Sequence, residues 1–268
     1  MPMTPHSPPA RGDGGMGRAL RYLYRVPLLL VHLIVFLPLT LLSLVPPWAS
    51  IPWGGERFGH RVIRAWSAGL LWIFGFRVRV EGAPLPDPVM FVANHVSWVD
   101  IEMLHSQRMM GFVAKREIRA WPLVGWVAAR GETIFHQRGS QESLGGVMHA
   151  MLARLQERRT VGVFPEGRTR DGHAVGPFHG RIFQPAVEAD VPVQPVALRY
   201  GDGASAQHVV AFGPEENFVV NFIRLLGEPS RSATVCFLQP ILPNELEGRR
   251  QMAEVARERI VAAMTAVA

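Results

Sequence analysis

Cysteine is almost missing from this chain: Cys236 stands alone among 268 residues. One thiol excludes an internal disulfide and every metal site built from several cysteines, and it suits a reducing compartment. Lysine is as scarce, so nearly all of the 28 basic residues are arginine. Against 22 acidic residues they leave a formal charge of +6 and an isoelectric point near 10.5. Zinc-finger spacing, a basic helix and an aromatic-rich basic ribbon are all lacking, which argues against DNA or RNA as the partner of that charge. What remains is the planar guanidinium fork, suited to bidentate binding of phosphate or carboxylate. Apolar residues make up 48% of the chain and the mean hydropathy is +0.12, more than one core of this size requires. Part of the surplus is expected to meet lipid.

Residues 1 to 15 are rich in Pro and Gly without apolar periodicity and read as a disordered tail. Behind Arg18, Arg21 and Arg25 an apolar run extends from Val26 to Val45, interrupted by His32, Pro38, Thr40 and Ser43. Its length suffices to cross a hydrocarbon core of about 30 Å, and the arginines ahead of it would keep the N-terminus in the cytoplasm. The length of the run argues against a cleaved signal peptide. Against a single span stand Arg57, Arg61 and Arg64, which make the far flank basic too, and Pro38, Pro46 and Pro47, which favour bending. The expectation over residues 16–75 is therefore a membrane-associated helical hairpin, re-entrant or lying in the interface, with HRVIRAWSAGLLWIFGF in its second arm.

From residue 76 to 268 the pattern changes to that of an α/β domain, a mixed sheet flanked by helices. FRVRV (76–80) alternates strictly, and VMFVAN (89–94) is a continuous apolar run of the kind found in strands buried on both faces. Further strands are expected at GFVAK, TIFHQ, TVGVF, VPVQPVAL, HVVAF and TVCFL. Leu144, Val147, Met148, Met151, Leu152 and Leu155 form one face of a helix that packs into the core, and a second amphipathic helix closes the chain. Cys236, inside TVCFL, is expected to be a buried strand residue without a chemical role.

Two stretches carry groups that neither a core nor a plain surface requires. In NHVSWVD (94–100), His95 and Asp100 are five positions apart, and on a regular helix they would diverge by about 140°. They meet only if His95 precedes the helix. Asp100 then either caps the helix through the Ser97-x-x-Asp100 arrangement, or takes the Nδ1 proton of His95 and leaves Nε2 to accept a proton from a hydroxyl. In VFPEGRTRDG (163–172), Pro and Gly bracket Glu166 in a tight loop followed by Arg168 and Arg170. Such a loop is either a solvated turn or a site for a polyol and an anion.

Four blocks in order resemble the PlsC-type lysophospholipid acyltransferase family: NHVSWVD (94–100), TIFHQR (133–138), VFPEGRTR (163–170) and VPVQPVAL (191–198). FVAKREI and WPLVGW, between the first two, are also similar to the family's intervening segment. The second block departs by placing Glu132 where a Gly is common six positions before Arg138, and His136 and Gln137 before the arginine. The third reads Arg168-Thr169-Arg170 where Thr-Arg usually follows.

The resemblance implies transfer of a fatty acyl chain from an acyl carrier protein or coenzyme A thioester to the free hydroxyl of a lysolipid. The first choice of acceptor is 1-acylglycerol 3-phosphate, giving phosphatidic acid, and a lyso-ornithine lipid or another lysophospholipid is the alternative. It implies His95 as base and Asp100 as its orienting carboxylate. Glu166 and Gly167 would hold the glycerol, and Arg138 with Arg168, or Arg170 in its place, the phosphate. Lys115 is a further candidate. Metal and cofactor are not implied. The expected location is the inner membrane, with the domain facing the cytoplasm. A rival of another class is a non-catalytic peripheral protein that uses the basic surface and the hairpin to hold anionic lipid, which has no need of His95.

Overall fold

The computed structural model describes residues 15–121, 124–137 and 141–265. The expected tail at residues 1 to 14 lies outside them, whereas Gly15, its last residue, already opens a helix. That helix, α1 (Gly15–Val31), continues through a π-turn at His32–Phe36 into α2 (Leu37–Ser43). The π-turn immediately precedes Pro38, whose missing N–H interrupts the regular ladder. The resulting arm of 29 residues contains a stretch of mean hydropathy 2.4 and is long and apolar enough to cross a membrane. A 3-10 turn at Trp48–Ser50 and the short strands β1 (Pro52–Trp53) and β2 (Glu56–Arg57) reverse the chain. The return arm is α3 (Phe58–Ile73), packed on α2. A helical hairpin is thus present. Trp48 and Trp53 are exposed at its tip.

The arginines at its base do something the sequence did not foretell. Arg25 is 1% exposed and donates to the carbonyls of Leu226 and Glu228 at 3.0 and 2.7 Å and to Ser230 Oγ at 3.0 Å. Arg21 Nε donates to Gly227 O at 2.7 Å, and Arg18 pairs with Glu228 at 2.9 Å. Besides the flanking charge read from the sequence, they bolt the first arm to the turn that follows α9 (Phe218–Leu226), where a helix C-terminus presents its last carbonyls. Gly75 makes room for this contact. Its φ of +82° suits glycine, and a Cβ there would sit 2.2 Å from Arg25 Nη2.

The sheet has seven strands. In chain order they are β3 (Phe76–Glu81), β4 (Met90–Ala93), β5 (Gly111–Lys115), β6 (Ile134–His136), β7 (Val161–Val163), β8 (Val193–Tyr200) and β9 (Arg231–Phe237), arranged β3-β9-β8-β4-β7-β5-β6. Only β8 and β9 pair antiparallel; every other neighbouring pair is parallel. All four residues of β4 are buried. Phe91 and Ala93 face a core that includes Met103 of α4 (Val99–Gln107), Tyr200 and Leu71 of the hairpin. Met90 and Val92 face a second core with Met151 and Leu155 of α6 (Gln141–Gln156) and Met252 of α10 (Gly248–Thr265). Of the expected stripe on α6, Val147, Met151 and Leu155 are buried in this core, while Leu144, Met148 and Leu152 are half-buried and Leu144 lines the cavity described below. The short helices α5 (Val124–Arg130), α7 (Gln184–Glu188) and α8 (Gln207–Val210) complete the domain.

One expected strand is a helix. HVVAF forms the end of α8 and the turn behind it, because the side chain of Gln207 occupies the edge of β8 that a strand would use: it accepts from Tyr200 N at 2.7 Å and donates to Leu198 O at 3.0 Å. The departure at Glu132 also has a backbone origin. Its φ is +61°, a conformation glycine adopts freely, and the glutamate is retained by an ion pair of 2.6 Å to Arg159.

Replacing Arg25 with Met should lower stability by about 3 kcal/mol in denaturant unfolding, since a buried charged donor is lost and two carbonyls are left without it. Unchanged stability would show that the hairpin is held by apolar packing alone.

Candidate active site

Parallel strands deliver their following loops to one edge of a sheet. The C-terminal ends of β4, β7 and β5 are neighbours here, and they carry His95, the loop from Phe164 to Arg170, and Lys115. β6 lies beside β5, but Arg138, which follows it, lies outside the described residues.

His95 sits on the turn between β4 and α4. Its Nδ1 is 2.8 Å from Asp100 Oδ2. That same oxygen accepts from the N–H groups of Val96 at 2.7 Å and Ser97 at 2.9 Å, and Asp100 Oδ1 accepts from Tyr200 Oη at 2.5 Å. The two readings of Asp100 thus coexist: it caps the turn and holds the histidine. A carboxylate accepts, so Nδ1 carries the proton and Nε2 its lone pair. Nε2 has no partner among the described residues, and the ring lines a cavity of about 1320 Å³. Phe164 stacks on the ring at 3.9 Å and 12°, fixing its plane.

The backbone of His95 is clamped as well. Its N–H donates to Glu166 Oε1 at 2.9 Å, and its carbonyl accepts from Arg170 N at 2.8 Å. Glu166 Oε2 accepts from Gly176 N at 2.7 Å and from Arg170 Nε at 3.1 Å. Glu166 was expected to hold glycerol. It is 2% exposed, and both its oxygens are engaged within the protein, where they hold the backbone of His95 and the loop at Gly176. Burial raises its pKa, opposed by the N–H groups of Gly176 and His95 and by Arg170. Gly167, with φ at +70°, turns the chain back toward the cavity and lines it with Arg168.

The two arginines of this loop separate cleanly. Both line the cavity, but Arg170 is tied to Glu166, whereas Arg168 is exposed and has no partner among the described residues. Lys115 is likewise exposed at the rim. Cys236 has no place here. It is buried on β9 and donates to Glu81 Oε2 at 3.2 Å, and burial pushes its thiol up to about 12, so it offers little thiolate.

Sequence reasoning missed three supports. Tyr200, two residues beyond the VPVQPVAL block, completes the Asp100 shell, and burial ahead of the Asp100 charge raises its pKa well above the ordinary value. Phe164 and Asn94 were quoted within blocks but given no role. Asn94 exchanges hydrogen bonds of 3.0 and 2.8 Å with Leu198 O and N, locking the turn to β8.

A histidine with a fixed tautomer and an open Nε2 beside a large cavity walled by the hairpin is an arrangement able to accept a proton from a hydroxyl brought next to it. Comparison with known proteins narrows this. Residues 77–199 match the Acyltransferase family model. The chain is 37% identical over 202 residues to the lyso-ornithine lipid O-acyltransferase of Pseudomonas aeruginosa, covering 75% of this chain and 77% of that protein. It is 35% identical over 156 residues to a 1-acyl-sn-glycerol-3-phosphate acyltransferase of Neisseria gonorrhoeae, covering 57% and 61%. The crystal structure of the 1-acyl-sn-glycerophosphate acyltransferase PlsC from Thermotoga maritima superposes with a TM-score of 0.71 at 20% identity, over 93% of this chain and 95% of that one. The chain belongs to the acyltransferase family, and it is an enzyme rather than a passive lipid binder.

Tyr200→Phe removes one of the four donors on Asp100 without touching the cavity. It should lower kcat about tenfold and leave KM nearly unchanged. A wild-type kcat would show that the three remaining donors suffice.

Proposed function

We propose that the protein transfers a fatty acyl group from a thioester, on acyl carrier protein or coenzyme A, to the free hydroxyl of a lysolipid. The observation that carries this is the 2.8 Å contact of His95 Nδ1 with Asp100, which leaves Nε2 free at a large apolar cavity. Nε2 accepts the hydroxyl proton as the oxygen attacks the thioester carbonyl. The C–O bond forms, the C–S bond breaks, and the imidazolium returns its proton to the departing thiolate. Asp100 orients the ring throughout. Apolar side chains of the two hairpin arms, Leu37, Leu41 and Leu70 among them, flank the chain, and Arg168 with Lys115 faces the anionic headgroup at the rim.

Two acceptors fit this arrangement. 1-Acylglycerol 3-phosphate is the one first implied by the four blocks, and it would draw on Arg138 as well as Arg168. A lyso-ornithine lipid is favoured by the relative that matches three quarters of both chains. We place the hairpin in the membrane and the sheet domain on its cytoplasmic side, on the strength of the long apolar arm and the tryptophans at the tip.

His95→Ala should cut acyl transfer by at least about 100-fold while circular dichroism stays unchanged. The assay is labelled acyl thioester with lysophosphatidic acid, lysophosphatidylcholine and a lyso-ornithine lipid, and the highest kcat/KM names the acceptor. Turnover retained by the His95 variant would end the general-base reading.

Trp48→Ala with Trp53→Ala should weaken vesicle binding in flotation about tenfold and spare activity on a short-chain, soluble acceptor. Flotation equal to wild type would remove the tip from the lipid contact.

A further inference from the structure

The part of the cavity wall built by α3 and α4 is not uniformly apolar. Ser67 of α3 and Glu102 and His105 of α4 line it beside Ile63, Leu70 and Ile101. Ser67 Oγ and Glu102 Oε2 are buried and make no hydrogen bond among the described residues. Ser67 lies near enough to favour the Glu102 carboxylate, but burial outweighs it and raises the Glu102 pKa, toward the neutral acid that can donate a hydrogen bond. His105 Nε2 is 3.0 Å from the carbonyl of Met110, to which only an N–H can bond, so Nδ1 is the unprotonated nitrogen. Burial pushes that imidazole down to about 4, and it stays neutral.

Buried polar groups in folded proteins are nearly always partnered, and those that are not cost stability. None of these three takes part in the chemistry at His95. Their common feature is the cavity they face. We propose that Ser67, Glu102 and His105 form a hydrogen-bonding subsite for a hydroxyl or amide group carried on the chain that enters the cavity, so that the enzyme selects a functionalised chain over a plain hydrocarbon.

The chemistry is complementary. A hydroxyl or a secondary amide offers one donor and one acceptor, and the subsite offers a hydroxyl, a carboxyl and an imidazole Nδ1. A plain chain at this place leaves the Ser67 hydroxyl and Glu102 Oε2 desolvated and without a hydrogen bond, which is how a site built for a polar group rejects the analogue that lacks it. The inference rests on the acyl-transfer reading for its substrates but not for its geometry. The group belongs either to the donor's acyl chain or to the acceptor, and the test keeps these sources apart.

Full-length protein in detergent is assayed with a plain acyl thioester and a glycerol-based lysolipid, with a hydroxyacyl thioester and the same acceptor, and with the plain thioester and an amide-linked lysolipid. Wild type should prefer the polar chain in one arm by at least about tenfold. Glu102→Leu should abolish that preference, and Glu102→Gln should keep most of it. As a readout independent of turnover, a hydroxylated fatty amide should raise the Tm of wild type more than a plain hydrocarbon of equal length does, and that difference should vanish in Glu102→Leu and shrink in Ser67→Ala. The unliganded Glu102→Leu protein should itself melt higher, since an unpaired buried carboxyl is gone. A lower Tm with equal loss on every substrate would make Ser67 and Glu102 a packing contact between α3 and α4. Equal Tm shifts with both compounds, or no preference in either arm, would overturn the subsite. Failure of wild type to transfer any chain would instead strike the acyl-transfer reading and leave the Tm comparison to decide the subsite.

Discussion

Everything at the catalytic edge converges on the carboxylate of Asp100. It is completely buried, and four donors from two parts of the chain meet on it: the His95 ring and the next two backbone N–H groups from one turn, and the hydroxyl of Tyr200 from β8. A buried charge is tolerated only when it is this well partnered. That requirement dictates the local architecture. The chain must turn sharply after β4 for its N–H groups to point inward, and β8 must run beside β4 for Tyr200 to reach across. α4 has to start where its first turn can supply the acid. The same geometry that makes the charge bearable leaves one imidazole nitrogen facing the cavity.

The second carboxylate, Glu166, works on the peptide bonds instead of the ring. By accepting from His95 N–H and from the loop that returns at Gly176, it ties the end of β7 to the end of β4. Arg170 finishes the tie by donating its own backbone N–H to the carbonyl of His95. Histidine and cavity rim are therefore set by one continuous hydrogen-bonded frame. Among the described residues, Arg168 is left as the loop's cation without a partner.

Much of this was legible in the residues. The all-apolar run of β4 reported its burial correctly, and Val147, Met151 and Leu155 of the α6 stripe did so too, whereas the alternation in β3 holds only at its start, where Phe76 is buried and Val80 already exposed. Helix geometry required His95 to precede the helix if it was to meet Asp100, and left open whether Asp100 capped the helix or held the ring. What could not be read are contacts between distant parts of the chain. Nothing around Glu166 distinguishes a carboxylate that binds a ligand from one buried under its own loop. Tyr200 is a hundred positions from its partner. HVVAF has strand-like residues, yet the place it would fill is taken by a glutamine side chain. Arg18, Arg21 and Arg25 look like charges awaiting lipid, and only the folded chain shows them spent on carbonyls and Glu228.

That last arrangement changes what kind of object the hairpin is. An anchor joined by a flexible stalk can tilt without the enzyme noticing. Here the first arm is gripped at Arg25, and residues farther along it and on the second arm are walls of the cavity. Any push on the tip is therefore transmitted as a lever acts on a hinge with no play. The space open to a chain becomes a property of the hairpin's posture, and the surroundings that hold the tip help to set the shape of the enzyme's interior.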